Sequence, residues 1–181
     1  MPSIFSLSDV DKRRLTTIAA PFLRSAVSVE EHIEALVKAV AQHPNEWALF
    51  LELGDKYQQV GRYVESLRAC KRCVELRPND LLSVYALATA YNMLTRAAWS
   101  DSKEIKAVEQ LQDLARELGD RLDPALSQAA LDQAGLVVGT AAAQAMRWFE
   151  KALTLKPDHA SRRQIEQDLQ TLYRRFPRLR H

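Results

Sequence analysis

Glycine is scarce in this chain, five in 181 residues, too few to supply the tight turns on which strand hairpins depend. Alanine, leucine, glutamate, arginine and glutamine, all strong helix formers, run nearly end to end, so the sequence predicts an all-α protein. Charge imbalance is also missing: 25 basic residues face 23 acidic ones for a net of +2, which by itself demands neither a nucleic acid nor a membrane surface. The longest uncharged runs, Leu81 to Thr95 and Gln133 to Met146, fall short of the ~20 apolar residues of a spanning helix, so no membrane span is expected. The opening MPSIFSLSDVDKRR places polar and acidic residues where a secretory signal carries its apolar core, and a cytoplasmic location is the expectation. No phosphate-binding glycine loop, nucleophile elbow or HExxH motif occurs, so catalysis has no visible foothold and no cofactor is implied.

Cysteine occurs twice, as Cys70-Lys71-Arg72-Cys73. Three residues apart on a helix, both side chains share one face with Leu67 and Val74 and read as packed, reduced core. A redox CxxC keeps its reactive thiol at a helix N-terminus, where the dipole favours thiolate, whereas these two sit in the second half of a helical run. Zinc would need two further ligands, and His32, His43, His159 and His181 form no second pair at ligand spacing.

What the chain does have is a repeated phrase. AVAQHPNE at 39–46 and CVELRPND at 73–80 place Pro44 and Pro78 34 residues apart, and ALTLKPDH at 152–159 repeats the pattern at Pro157. A fixed period of this size marks a stacked supersecondary unit. Within 47–80, WALFLELGDKYQQV is apolar at 47, 50, 51, 53, 57 and 60, one face of a helix. Gly61 allows a turn, and a second stripe (Tyr63, Val64, Leu67, Cys70, Cys73, Val74, Leu76) ends at Pro78. Gly54 would let the two backbones approach closely.

Phe50, Leu53, Gly54, Tyr57, Gly61, Tyr63 and Pro78 match the tetratricopeptide repeat pattern in type and spacing, and the chain resembles that family. Ser66 and Cys70 depart from its usual alanine and aromatic. The resemblance implies a right-handed superhelix of antiparallel helix pairs forming a single domain over 1–181. Its repeats would be 13–46 (degenerate, the first helix shortened by Pro21 and Ser25, the second keeping Val29, Ile33, Leu36, Val37 and Val40), 47–80 (strong), 81–125 (irregular, with an insertion) and 126–159 (weak), and a cap helix would run from 160 to 176. Pro78 to Pro157 is 79 residues, two periods and eleven over. On that count Pro124 to Val138 pairs with Ala141 to Leu155 through a turn at Gly139. The rival reading is one continuous helix from Pro124 to Leu155.

The resemblance also implies a function: a non-catalytic scaffold or assembly adaptor that receives a peptide or helix of another protein in the groove lined by the first helices. The residues expected there are Leu51, Asp55, Gln58, Gln59, Tyr85, Thr89, Asn92 and Met93. Family members that clamp the terminal carboxylate of acidic chaperone tails use cations and asparagines at such positions, where this chain has Leu51 and Asp55, which argues against that mode. Trp99, in the polar stretch AAWSDSKE, is either a loop anchor for a partner or a ring folded back over a helix pair. Trp47 and Trp148 fall in helical stripes and read as core. The basic end, with Arg174, Arg175, Arg178 and Arg180 as a patch around Tyr173 and Phe176, supports an alternative function in binding RNA or an acidic partner. Self-association stays open beside a protein partner.

Overall fold

The computed structural model describes residues 7–23, 27–97 and 134–179, and every regular element among them is helical. Seven α-helices follow in order: α1 (Asp9–Leu23), α2 (Val29–Gln42), α3 (Trp47–Gln59), α4 (Tyr63–Leu76), α5 (Leu81–Ala97), α6 (Ala134–Thr154) and α7 (His159–Arg175), then a 3-10 turn at Pro177–Leu179. Each packs on its neighbours in sequence, as the resemblance to stacked helix pairs implies.

The recurring proline phrase has a local physical meaning. Proline cannot continue the preceding helix, and the acid after it stands at the N-cap of the next first helix. Asp80 accepts from the Ser83 N–H (2.9 Å) at the start of α5, and Asp158 accepts from the Ser161 N–H (2.8 Å) at the start of α7. Glu46 holds the N-cap of α3 without a side-chain capping bond, and its buried carboxylate pairs instead with Arg14 of α1. α2 starts differently, from a reciprocal capping box: Ser28 accepts the Glu31 N–H (3.1 Å) while the Glu31 carboxylate accepts from Val27 (2.6 Å) and Ser28 (3.3 Å).

The α3–α4 pair turns at Gly61, whose φ of 77° lies in the left-handed region that glycine enters without cost. The Arg62 N–H closes the turn on the Tyr57 carbonyl (2.9 Å), and its guanidinium lies 4.7 Å from the Tyr57 ring centre. The helices run antiparallel: Ser66 near the start of α4 bonds Gly54 in the second half of α3 (2.9 Å), while Cys73 near the end of α4 meets the carbonyl of Trp47 at the start of α3 (3.6 Å).

The third unit departs from the sequence reading. α6 runs without a break through Gly139, so the turn predicted there is absent. Gly139 has no positive φ, and a Cβ built on it would meet nothing within 4 Å, so it is a helix glycine facing open space. Among the described residues α5 packs most extensively against α6, joining 81–97 to 134–154 as one pair. The predicted division at 125/126 falls within residues 98–133, which lie outside the described residues. Small side chains on the buried stripe of α6 (Ala141, Ala142, Ala145, Ala152) and on α5 (Ala88, Ala90) let these helices close tightly around Phe149.

α1 reaches Leu23, two residues past Pro21, so the proline does not shorten it as predicted; Ser25 lies outside the described residues. Val37 of α2 is 44% exposed and does not belong to the buried stripe, whose inward places go to Ala35 and Ala39. One apolar cluster runs from Leu67 of α4 through α5 and α6 to Leu172 of α7, a second joins α1 to α4 around Leu36, Leu49 and Leu53, and Trp47, Ala48 and Cys73 form a third. Trp148 packs partly buried against the first of these. α7 buries Ile165, Leu169 and Leu172 and turns a polar face outward, closing the stack against water.

Candidate functional site

Because successive units stack in parallel, α1, α3 and α5 lie on the same side of the array, and a cleft of about 540 Å³ opens between them. Its walls carry Lys12, Leu15 and Thr16 from α1, Leu51, Glu52, Asp55 and Gln58 from α3, and Leu82, Tyr85, Ala86 and Thr89 from α5. A second, more apolar trough of about 390 Å³ continues it between α1, α2 and α3 along Ala19, Ala20, Leu23 and Leu36, sharing Leu15, Thr16 and Glu52 with the first.

Five of the eight predicted groove residues come together here: Leu51, Asp55, Gln58, Tyr85 and Thr89. Three do not. Gln59 follows Gln58 by 100° of helix rotation and points out to solvent, where its amide donates to Asp55 (2.7 Å). Asn92 is buried, with its carbonyl accepting from the Thr95 hydroxyl (2.7 Å), and Met93 is half-buried; neither lines the cleft. α5 packs most extensively against α6, and long side chains of α7 tie to it at two points. Asp168 accepts from the Tyr85 hydroxyl (2.9 Å), and Arg175 donates to the Thr95 carbonyl (3.2 Å) ten residues further along. α1 contributes Lys12, Leu15 and Thr16, which sequence reasoning did not place in the groove; the signal available was the apolar pair Leu15 and Ala19 at a spacing of four.

The polar groups of the cleft are largely set by internal contacts. Gln58 donates to the Ser66 hydroxyl (3.1 Å), which in turn donates to the Gly54 carbonyl. Lys56 stands 3.5 Å from Glu52 and 3.8 Å from Asp55 and tempers both carboxylates. Tyr85 lies against Phe149, with ring centres 5.7 Å apart and tilted by 59°, and its hydroxyl is committed to Asp168. Burial, reinforced by that carboxylate, pushes the Tyr85 phenol well above its ordinary range. Tyr85 is therefore a neutral wall of the cleft, half-buried rather than a free side chain.

Cys70 and Cys73 are buried free thiols. Desolvation raises Cys70 to about 12 and Cys73 to about 11, the reverse of an activated thiol. Cys73 contacts the Ser83 hydroxyl (3.3 Å), and Cys70 reaches the floor of the cleft. Among the described residues no three His, Cys, Asp or Glu side chains gather where they could hold a metal ion, and no helix is long and apolar enough to cross a membrane.

Of the predicted basic patch, Arg174, Arg175 and Arg178 are exposed, and Arg175 is in addition tied to Thr95 and lies 5.4 Å from the Phe176 ring centre. Arg180 and the proposed anchor Trp99 lie outside the described residues.

No protein-family model and no curated protein matches this chain. Among solved structures it is similar to a crystal structure of MamA, at 20% identity over 94% of this chain and 85% of that one with a TM-score of 0.36. It is also similar to the MamA RS-1 ArsTM double mutant, at 16% identity over 93% and 97% with a TM-score of 0.38.

Proposed function

We propose that this chain is a non-catalytic interaction module that receives a segment of another protein in the cleft between α1, α3 and α5. The observation that carries the reading is that cleft: about 540 Å³, open on one side, with walls drawn from three successive first helices. Its mixture of leucines, an alanine, one amide and opposed charges suits a peptide or helix, with a side chain lodged between Leu51 and Ala86 and backbone groups bonded along Gln58 and Asp55. The carboxylates of Glu52 and Asp55, tempered by Lys56 and faced by Lys12, disfavour a strongly acidic occupant. The thiols of Cys70 and Cys73 and the phenol of Tyr85 are held protonated by burial, the reverse of activation as nucleophiles.

Filling the cleft tests this. Ala86→Arg projects a long side chain into the space while sparing the core, since Ala86 is only partly buried. Partners captured from the native host by the wild-type chain are expected to be lost from Ala86→Arg at unchanged helicity and melting temperature. Retention of every partner by the filled variant would remove the cleft from the account.

A further inference from the structure

α7 has sorted its charges. Asp158 is spent on the helix cap and Asp168 on Tyr85. Glu166 faces outward, 3.8 Å from Arg162. Arg163, Arg174 and Arg178 share that outer face and form no ion pair with any described residue. The outer face is thus more basic than the composition of the segment suggests.

These cations are ordered along the helix. Arg163, Gln167, Gln170 and Arg174 stand at intervals of four, three and four, so they form one stripe, all exposed, about 16 Å long at 1.5 Å per residue. Helix stability does not ask for this arrangement. No acid occupies the first turn within α7, and Arg162 and Arg163 follow directly where the positive end of the helix dipole favours carboxylates. Only the cations near Arg174 agree with the dipole.

We propose that this stripe is a second docking surface, separate from the cleft, for an acidic segment of a protein partner. Arg163 and Arg174 present planar forks suited to carboxylates, and Gln167 and Gln170 between them offer donors and acceptors to the intervening backbone. The span corresponds to roughly five residues of extended chain at ~3.3 Å each. A nucleic acid fits less well, because sequence-tolerant binding of single strands rests on aromatic platforms for the bases. The aromatics of this helix are engaged elsewhere: the Tyr173 hydroxyl donates to Glu150 (2.7 Å), and Phe176 packs against the core beneath Arg175.

The test is fluorescence anisotropy on the full chain with two labelled probes, an oligo-glutamate peptide and an oligo-uridine of equal length. The peptide is expected to bind, to weaken as salt rises, and to lose about tenfold or more in affinity on Arg163→Glu with Arg174→Glu, with a smaller loss for Arg163→Gln with Arg174→Gln. Leu51→Arg in the cleft is expected to leave it unchanged, which separates this surface from the cleft. Absence of peptide binding, equal binding by the charge-reversed chain, or tighter binding of oligo-uridine than of the peptide would overturn the proposal.

Discussion

The Sγ atom of Cys70 occupies the space that a methyl group on Gly54 would need: a Cβ built on Gly54 would stand 2.9 Å from that sulfur, closer than real Cβ atoms approach anything. Three further contacts converge on the crossing, since Ser66 bonds the Gly54 carbonyl, Gln58 bonds Ser66, and Ala69 borders the same space. The close approach of α3 and α4 thus rests on one missing side chain and one small, polarizable one.

Gly54→Ala is expected to destabilise the protein. Alanine gains ~1 kcal/mol of helix propensity over glycine, but the clash with a buried sulfur forces the helices apart at a cost of about 1–3 kcal/mol, and the second effect is expected to prevail. In a Cys70→Ala background the sulfur is gone and the same substitution is expected to be neutral or stabilising. Thermal melts of the single and double variants decide this, and a Gly54→Ala variant as stable as wild type would show that the crossing is not tight.

The buried thiols give a dependence on pH whose sign is fixed. Unfolded thiols ionise near 9.0, whereas burial holds Cys70 at about 12 and Cys73 at about 11. Both stay protonated in the folded chain while the unfolded chain releases its protons, so their contribution is intact below pH 9 and is lost as pH rises from 9 towards those values. The expected loss is about 1.4 kcal/mol per pH unit per thiol in that window. Denaturant melts of wild type and Cys70→Ala with Cys73→Ala from pH 8 upward check it; parallel curves would contradict it. Thiol reagents are likewise expected to label the native chain only at the rate at which it opens.

Tyr85 and Asp168 join α5 to α7 across 83 residues of chain. Tyr85→Phe keeps the ring against Phe149 and removes only the hydroxyl, so the expected loss is about 1 kcal/mol. A double-mutant cycle with Asp168→Ala, which removes the acceptor, is expected to give a coupling of similar size. Additive effects would mean that the hydrogen bond does not hold α7 in place.

The sequence was most legible where one unit is complete. Gly54, Gly61 and Pro78 each perform a local task that only their residue types allow, and the stripe on α4 is buried at Leu67, Cys70, Cys73 and Val74 as its spacing predicts. It was least legible at the third unit. Counting from Pro78 to Pro157 put a turn at Gly139, but α6 runs through that position and closes against α5 along an alanine-rich stripe. Gly139 misled because glycine marks both turns and idle helix positions, and only the space around it distinguishes them. In the groove, Leu51, Gln58 and Tyr85 came from the resemblance to a repeat family, whereas the burial of Asn92 is a tertiary outcome that no local spacing encodes.

The central claim is that the cleft between α1, α3 and α5 holds a visiting chain, and the most direct measurement is site-specific photo-crosslinking in the native host. A photoreactive residue replacing Ala86, on the wall of the cleft, is compared with one replacing Glu75, exposed on α4 and outside it. The account predicts a discrete adduct with another protein from position 86 that is absent from position 75 and disappears when Leu51→Arg is added. Adducts from position 75 alone, or none from position 86 while the chain remains folded and bound to its partners, would contradict it.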